Sequence, residues 1–215
     1  MKHFSLVLLF FFFIMTIWAQ EDIARYRLNA SSMNAFTATI GQLSDNKIVV
    51  GNFDQEKFLS RHNRRLKSSG NFIIASGRGM VWETLLPFPS VMTLGNDYLI
   101  QSRPGVQGTV LSAQGNETFI RLAEVISSIF SGNTRGLLDN FEVYFSGNTA
   151  DWTLWLLPRD RTMAAFAERI TMKGDTVIRS ILIHEQNNDT ISYVLSNHRF
   201  PLELTENEIS FFTLP

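Results

Sequence analysis

Residues 70–94, GNFIIASGRGMVWETLLPFPSVMTL, contain the strongest secondary-structure signal of the chain. Its apolar side chains occur in short runs, and glycines or prolines separate each run from the next. Runs this short, bounded by turn-forming residues, predict neighbouring antiparallel strands and not a buried helix. Further strands are predicted on both sides, over residues 46–59, 98–102, 106–111, 140–147, 151–160, 168–174, 175–186 and 189–199. The sequence therefore predicts an antiparallel meander that forms most of one domain.

Both faces of the predicted strands are apolar. Because side chains alternate along a strand, one face carries Phe72, Ile74, Met80 and Trp82. The other face carries Ile73, Val81 and Leu85. A sheet that is apolar on both sides needs an apolar partner on each side. One partner is a helix or a second layer, and the pattern leaves open whether the other is ordinary core or a bound ligand.

Two amphipathic helices are predicted to accompany the strands. From Met33 to Leu43, apolar residues recur at intervals of three and four, which is the period of a helix. Residues 116–130 place Phe119, Leu122 and Ile126 on one broad apolar face. We expect this second helix to lie on the sheet as a lid. A short helical turn is predicted in TMAAFAER, after Pro158.

Residues 1–19 have the features of a secretory signal peptide. A basic start is followed by a short apolar run and by Ala19, just before polar residues. A membrane-spanning helix would need roughly 20 apolar residues, and this run is shorter and interrupted by Ser5 and Thr16. The chain has no cysteine, which fits a bacterial periplasm. We therefore predict cleavage after Ala19 and a single periplasmic domain over residues 20–215.

Several kinds of chemistry are disfavoured by the composition and the motifs. The chain has 19 Lys and Arg against 20 Asp and Glu, which argues against nucleic acid as a partner. HEQNN, at residues 184–188, lacks the second histidine of a zinc helix. No phosphate-binding loop and no serine-nucleophile elbow are present. The sequence predicts no catalytic residue, no metal site and no cofactor, and we expect a protein that is not an enzyme.

Three segments together resemble the LolA-type outer-membrane lipoprotein carriers. They are GNFDQEKFL at residues 51–59, LKSSGNFIIASGRGMVWETLLPFPSVMTL at 66–94, and the run from Trp152 to Asn197 that begins WTLWLLPRD. The match is strongest with the LolA-like branch that occurs with lipid and acyl-transfer genes. This resemblance implies a mainly β fold with helices (α+β), an incomplete antiparallel β-barrel whose apolar inside the helices cover.

The resemblance also assigns positions around the cavity of this fold. By its spacing from Gly70, Trp82 takes the place of the family's cavity tryptophan, and Met80 that of a cavity aromatic. The functionally sensitive arginine of the family falls at Ser76, where this chain departs from the pattern. Arg78, two residues further on, is the candidate substitute. The expected lipid-binding residues are therefore Phe72, Ile74, Met80, Trp82, Phe119, Leu122 and Ile126.

The function that these features predict is that of a monomeric carrier. It shields acyl chains of lipoproteins or other lipids in a hydrophobic cavity on their way to the outer membrane. Its partners would be an inner-membrane donor and an outer-membrane acceptor. Two alternatives stay open: a periplasmic protein-binding or envelope-assembly factor that carries no lipid, and a lipid hydrolase, for which no nucleophile is evident.

The basic run RHNRRLK, residues 61–67, has two interpretations. It is either a solvated hairpin turn or a contact for acidic lipid headgroups or a membrane partner. Clustered Lys and Arg gain about 1 kcal/mol each near an anionic membrane surface. The candidate contact residues are Arg61, Arg64, Arg65 and Arg78.

Overall fold

The structure is a computed structural model that describes residues 23–95, 98–103, 106–110, 117–159, 161–165 and 167–213. The side chains of residues 106, 107, 117–123 and 162 are outside this description. The predicted signal peptide also lies outside the described residues. Within the described part of the chain, every helix is too short or too polar to cross a bilayer.

In the described part of the chain, a single antiparallel sheet of eleven strands forms the body of the protein. Its strands are β1 (Ile48–Leu59), β2 (Arg64–Ala75), β3 (Gly79–Leu86), β4 (Ser90–Leu94), β5 (Leu99–Arg103), β6 (Val106–Val110), β7 (Phe141–Asn148), β8 (Asp151–Pro158), β9 (Arg169–Gly174), β10 (Ile178–His184) and β11 (Thr190–Arg199). Their order across the sheet is β6-β5-β4-β3-β2-β1-β11-β10-β9-β8-β7. The described parts of β6 and β7 do not pair with each other, so the sheet is an incomplete barrel.

The β2–β3 hairpin keeps the register that the predicted strands require. Ile74 pairs with Met80 and Phe72 with Trp82, so these four side chains share the concave, inner face. The turn uses two glycines with positive φ, Gly77 at 79° and Gly79 at 123°. A Cβ on Gly79 would lie 1.9 Å from the carbonyl oxygen of Leu94, so β4 can approach only because this residue is glycine. We call the end of the sheet with this turn the upper end.

Helix α1 (Ala30–Ser44) packs on the inner face of the sheet at β7. Its first turn is held by a capping box, in which the Asn29 side chain accepts hydrogen bonds from the backbone N–H groups of Ser31 and Ser32. The helix buries Phe36, Thr39, Ile40 and Leu43, and it contacts β7. The ring of Phe36 meets that of Phe145 edge to face, with centroids 5.8 Å apart. The predicted first helix is therefore confirmed, with an extra turn at its N-terminal end.

Helix α2 (Glu117–Phe130) packs on the inner face at β3, toward the upper end of the sheet. It contacts α1, β3 and α3 (Thr134–Asn140), and it buries Val125, Ile126, Ile129 and Phe130. The prediction of a helix that lies on the sheet is thus confirmed for residues 117–130. The predicted helical turn after Pro158 is α4 (Arg161–Ala164). Helix α3 was not predicted, because its seven residues are too few to show a helical period.

The outer face of β1 to β3 is covered by the C-terminal segment, residues 204–212. Leu204 and Phe212 pack on Val50, Ile73, Ala75 and Val81. The segment contains a short helix, α5 (Glu206–Ser210). The Tyr98 hydroxyl donates to the Phe212 carbonyl at 2.6 Å, and Arg199 pairs with Glu208 at 3.3 Å. The outer apolar face therefore has an ordinary core partner, which the strand pattern had left open.

The prediction of RHNRRLK as a turn was wrong for its second half. The β1–β2 connection is a short turn, Ser60–His62, followed by Asn63 in the left-handed region with φ 46°. Strand β2 already begins at Arg64 and pairs with Leu59. The pairing of β1 with β2 extends to Leu59 and Arg64 because the turn between them is short. Asn63 makes this short turn possible, since asparagine tolerates the left-handed backbone conformation.

Candidate functional site

The middle of the inner face is closely packed with aromatic side chains. Phe53 stacks on Trp82 with ring centroids 4.1 Å apart, and Phe72 lies 6.1 Å from the same indole. Tyr193 meets Trp82 edge to face at 5.2 Å. Burial raises the pKa of the Tyr193 hydroxyl, so this phenol stays neutral. This aromatic cluster is part of the main core.

An inner cavity of about 370 Å³ lies above this cluster, at the upper end of the sheet. Its apolar wall consists of the side chains of Ile74, Met80, Leu94, Ile126 and Phe130, and Ala75, which packs on the outer face, borders the cavity at the end of β2. The polar part of its lining includes Ser76, Glu124, Ser127, Ser128 and Ser131. The volume falls in the range of roughly 300–1,000 Å³ that is typical of small-molecule sites. The site is therefore an apolar pocket with a polar border.

Strand register explains why the wall is continuous. Ile74 pairs with Met80, and Met80 pairs with Leu94, so three side chains form a row across β2, β3 and β4. All three point to the concave face because they are direct cross-strand neighbours. Ile126 of helix α2 lines the same cavity opposite this row and is only 1% exposed. Met80 is flexible and polarizable, and such a side chain can adapt to ligands of varied shape.

The structure brings together three of the residues that the sequence singles out for lipid binding. Ile74, Met80 and Ile126 all line the inner cavity. Phe72 and Trp82 are instead packed below it in the aromatic cluster, so in this structure they support the wall without being part of it. The side chains of Phe119 and Leu122 lie outside the described residues.

Sequence reasoning missed two residues of the wall. Leu94 lies on the same face as Met80, one strand further along, and its position in a predicted strand was a usable signal. Phe130 follows Ile126 by four residues, which is one helical turn, so it belongs to the same helix face. Trp152 and Trp155 are both buried and both lie away from this cavity. Trp152 is in the main core, and Trp155 stacks on Tyr26.

The predicted basic contact residues lie in two different places. Arg61, Arg64 and Arg65 are exposed at the lower end of the sheet, by the β1–β2 turn, whereas the inner cavity lies at the upper end. Arg65 pairs with Glu56, and its guanidinium lies 4.8 Å from the centre of the Phe58 ring. Arg78 is exposed in the turn beside the cavity but does not line it.

Two further cavities lie elsewhere on the surface. One, of about 340 Å³, lies under the C-terminal segment on the outer face. There, the side chains of Asn197, Asn52, Asn71 and Glu83 form a ladder of hydrogen bonds, each 2.6 to 2.8 Å long. The amides of this ladder largely satisfy one another. The other, of about 470 Å³, lies on the outer face toward the lower end, beside Leu86 and Val194.

The described residues contain no group of three or more His, Asp or Glu side chains that could hold a metal ion. His184 is engaged by Arg169, whose guanidinium nitrogen lies 3.0 Å from its Nε2 atom. Burial, followed by the charge of Arg169, lowers the pKa of His184. The arrangement around the inner cavity thus offers binding surface, and we assign it no chemical step.

Similarity to known proteins is found among solved structures. No protein-family model matches the sequence, and no curated protein does so either. A LolA superfamily protein from Nitrosomonas europaea is 10% identical, with a TM-score of 0.47 over 84% of this chain and 96% of that chain. A DUF1329 family protein from Desulfovibrio piger is 10% identical, with a TM-score of 0.49 over 86% and 98%.

A third similar structure is the MucA/MucB complex from Pseudomonas aeruginosa. It is 11% identical, with a TM-score of 0.41 over 84% of this chain and 60% of that chain. All three similarities concern the fold alone. The open antiparallel sheet and its covering helices confirm the incomplete barrel that the LolA-type resemblance implied. The described residues therefore define an incomplete antiparallel β-barrel with an apolar cavity under a helix.

Proposed function

We propose that this chain is a periplasmic carrier that shields acyl chains in its inner cavity during transfer to the outer membrane. The observation that carries this proposal is the cavity itself, whose wall is a row of aliphatic and thioether side chains under α2. An acyl chain is the ligand whose chemistry matches such a wall. Residues 1–19 are the proposed export signal, and residues 20–215 the mature domain.

Burial of an acyl chain supplies enough free energy for stable binding. Each buried CH₂ contributes about 0.8 kcal/mol, so a chain of about 16 carbons gains roughly 12 kcal/mol at full burial. Association costs lower this value, by about 4 kcal/mol or more. Spontaneous release into water would therefore be slow. A carrier of this kind needs direct contact with a donor and an acceptor to load and unload its cargo.

Helix α2 is the element that would move to admit a larger cargo. A cavity of about 370 Å³ is near the lower limit for small-molecule sites, and the aromatic cluster below it is closely packed. Additional acyl chains would therefore have to displace α2 from β3. Among the strands of the described residues, β3 is the one that α2 contacts most extensively. We propose α2 as a lid whose apolar face rests on the cavity wall.

The basic residues fit contacts with partners better than contacts with a cargo in the cavity. Arg61, Arg64 and Arg65 are at the far end of β1 and β2, so they cannot reach the cavity mouth. We propose that they contact an anionic membrane surface or a membrane partner. Arg78, in the upper turn, is the candidate contact with a donor or acceptor at the mouth.

Mass spectrometry of lipids that co-purify with the protein from a periplasmic fraction tests the carrier function. We expect extractable acyl lipid in near-stoichiometric amount, and N-terminal sequencing should find Gln20 as the first residue. A protein that is consistently empty, and that also takes up no fluorescent acyl lipid, would rule out the proposal. If residues 1–19 remain attached to the protein, only the proposed cleavage after Ala19 is contradicted, and the carrier function is unaffected.

An alternative function, as a protein-binding or envelope-assembly factor without lipid cargo, is supported by one surface feature. Leu85, Leu86 and Phe88 are exposed at the lower end of β3 and in the β3–β4 turn, and Phe88 is 81% exposed. An apolar hairpin turn of this kind is a common protein contact. Replacing Phe88 with serine should abolish partner capture under this alternative, whereas the carrier function predicts that acyl-lipid uptake persists.

A further inference from the structure

The first part of strand β2 extends beyond its neighbour β3. Pairing of β2 with β3 runs from Ala75 to Ser69, where Leu86 is the last partner. Pairing of β2 with β1 continues to Arg64, at the end of the strand. Within the part of the chain that the structure describes, no strand and no other backbone group pairs with the opposite edge of residues 64–68. We call this segment the free edge of β2.

The sequence after β3 explains why the free edge exists. Pro87 and Pro89 follow Leu86 directly and occupy the β3–β4 turn. A proline has no backbone N–H, so it cannot extend a ladder of hydrogen bonds between strands. Residues 48–75 contain no proline, and the β1–β2 hairpin therefore continues past this point. The sheet has a step here, with β2 on its long side.

The register identifies which backbone groups face the step. Just after β2, the N–H of Ser76 donates to the carbonyl of Lys47 at 2.8 Å, so this N–H points toward β1. Successive residues of an antiparallel strand direct their N–H and C=O groups to opposite sides. Because the β1–β2 register is uninterrupted, Arg65 and Lys67 direct both groups to the free edge. The residues between and beside them direct theirs to β1.

The side chains along the free edge are mainly cationic. Arg64, Arg65 and Lys67 are all exposed. Arg65 and Lys67 share one carboxylate, that of Glu56, and Arg64 has no ion pair with any described residue. A second copy of this edge would place like charges opposite one another, which is destabilising. A strand with acidic side chains would instead match the charge of the edge.

Apolar side chains lie beside these cations. Leu66 is on the free edge itself, and Leu86 and Phe88 are exposed at the step. The outer cavity of about 470 Å³ is lined by Lys67 and Leu86, so it opens next to the same edge. Side chains of an added strand would alternate between the two faces of the sheet, and those on the outer face could enter this cavity. A lipid surface offers no repeating backbone donors and acceptors for the edge, whereas an extended peptide does.

We propose that the free edge of β2 is a docking site for an extended peptide segment rich in Asp and Glu, which joins the sheet as a further strand beside Arg65 and Lys67. Hydrogen bonds between the two backbones supply affinity, and the cations select acidic sequences. In a carrier, such a segment would belong to the donor or the acceptor. The inference narrows the contact proposed above for this hairpin to a protein partner, and it does not depend on lipid in the inner cavity.

The test begins with selection of a random peptide library, displayed on phage, against the protein. We expect enrichment of acidic sequences in which β-branched residues alternate with Asp or Glu. The most enriched peptide is then synthesised with a fluorescent label, and its affinity is measured by anisotropy. This peptide is the probe for all later steps.

Two substitutions at Lys67 separate the charge from the backbone. Lys67→Ala removes the charge and keeps the N–H, and it should weaken binding about two- to fivefold, as expected for an exposed ion pair. Lys67→Pro also removes the N–H that faces the free edge, and it leaves the pairing with β1 intact. It should bind roughly tenfold more weakly than Lys67→Ala, because it loses a hydrogen bond between strands. Circular dichroism establishes that both variants are folded.

Amide hydrogen exchange of the wild type, measured by NMR, gives a readout that needs no variant. Binding of the peptide should slow the exchange of the Arg65 and Lys67 amides, whose N–H groups face the free edge. The amide of Leu66 is directed to β1, so its exchange should change little. Slowed exchange at alternate residues is the signature of strand addition, and contact through side chains alone would not produce it.

Several results would overturn the inference. They are enrichment of peptides without acidic residues, equal affinity of folded Lys67→Pro and Lys67→Ala, or unchanged exchange at Arg65 and Lys67. Binding to phosphatidylglycerol vesicles in place of the acidic peptide would identify the surface as a lipid contact and would also overturn it. Uptake of a fluorescent acyl lipid tests the carrier function separately, so failure of either proposal can be recognised on its own.

Discussion

Replacing Leu94 with tryptophan should block the inner cavity and leave the fold intact. Leu94 is half-buried at the end of β4, faces Met80 across the strand pair and forms part of the wall. The indole would occupy space that the acyl chain needs. If about four methylene groups are excluded, the lost burial is roughly 3 kcal/mol, which corresponds to an affinity about 200-fold weaker. Extra bulk at a partly packed site should cost about 1–3 kcal/mol of stability.

The assay is equilibrium binding of a fluorescent monoacylglycerol, with circular dichroism and urea unfolding to establish that the variant is folded. Leu85→Trp is the matched control, because Leu85 lies on the outer face of β3 and is 45% exposed. This variant makes the same substitution on the same sheet and should bind with wild-type affinity. If folded Leu94→Trp binds the probe as tightly as the wild type, the acyl chain does not occupy this cavity.

Three further predictions concern stability. Trp82→Ala should lower the free energy of unfolding by about 3–5 kcal/mol, measured by urea denaturation, because the indole is in the buried aromatic cluster; a loss below about 1 kcal/mol would contradict its core position. Hydrogen bonds, first that from the backbone N–H of Ser60, hold the pKa of Asp189 below its usual value of 3.8. The carboxylate therefore stabilises the fold above that pH, and its contribution is lost as the pH falls through the lower folded-state pKa. The loss of stability in Asp189→Asn should be largest near neutral pH and shrink below about pH 4, and a pH-independent loss would contradict this assignment. Tyr98→Phe removes the hydrogen bond to the Phe212 carbonyl and should lower the free energy of unfolding by about 0.5–1.5 kcal/mol. The C-terminal segment should also become more sensitive to carboxypeptidase, and unchanged digestion would show that the apolar contacts alone hold it.

The arrangement of the strands could be predicted because it depends on local pattern. Alternation along residues 70–94 assigns Phe72 and Trp82 to one face and Ile73 and Val81 to the other, and the observed register agrees. The helix at residues 117–130 was also predictable, since its apolar residues repeat with a helical period. These features are set by neighbouring residues and need no knowledge of distant contacts.

The division between core and cavity could not be predicted. Phe72 and Trp82 share a face with Ile74 and Met80, yet the first pair is packed in the aromatic cluster and the second pair lines the cavity. Phe53 and Tyr193 pack on Trp82, whereas Ile126 of α2 lines the cavity with Ile74 and Met80. Side-chain alternation contains no information about these contacts, because they come from distant parts of the chain.

The cover of the outer face depends on a distant contact in the same way. Leu204 and Phe212 are scattered among polar and charged residues, and α5 is too short to show a helical period. The segment becomes recognisable as a core element only through its packing on Val50 and Ile73. The apolar outer residues of β1 to β3 under this cover are therefore ordinary core.

The position of a bound acyl chain would locate the binding site on the protein. A monoacylglycerol with a photoreactive diazirine near the end of its chain can be loaded into the protein and irradiated, and the site of attachment can be mapped by peptide mass spectrometry. If the chain lies in the inner cavity, we expect attachment to the cavity wall, at Met80, Leu94 or Ile126. Attachment confined to the exposed β3–β4 turn around Phe88, or to the outer face under the C-terminal segment, would contradict it.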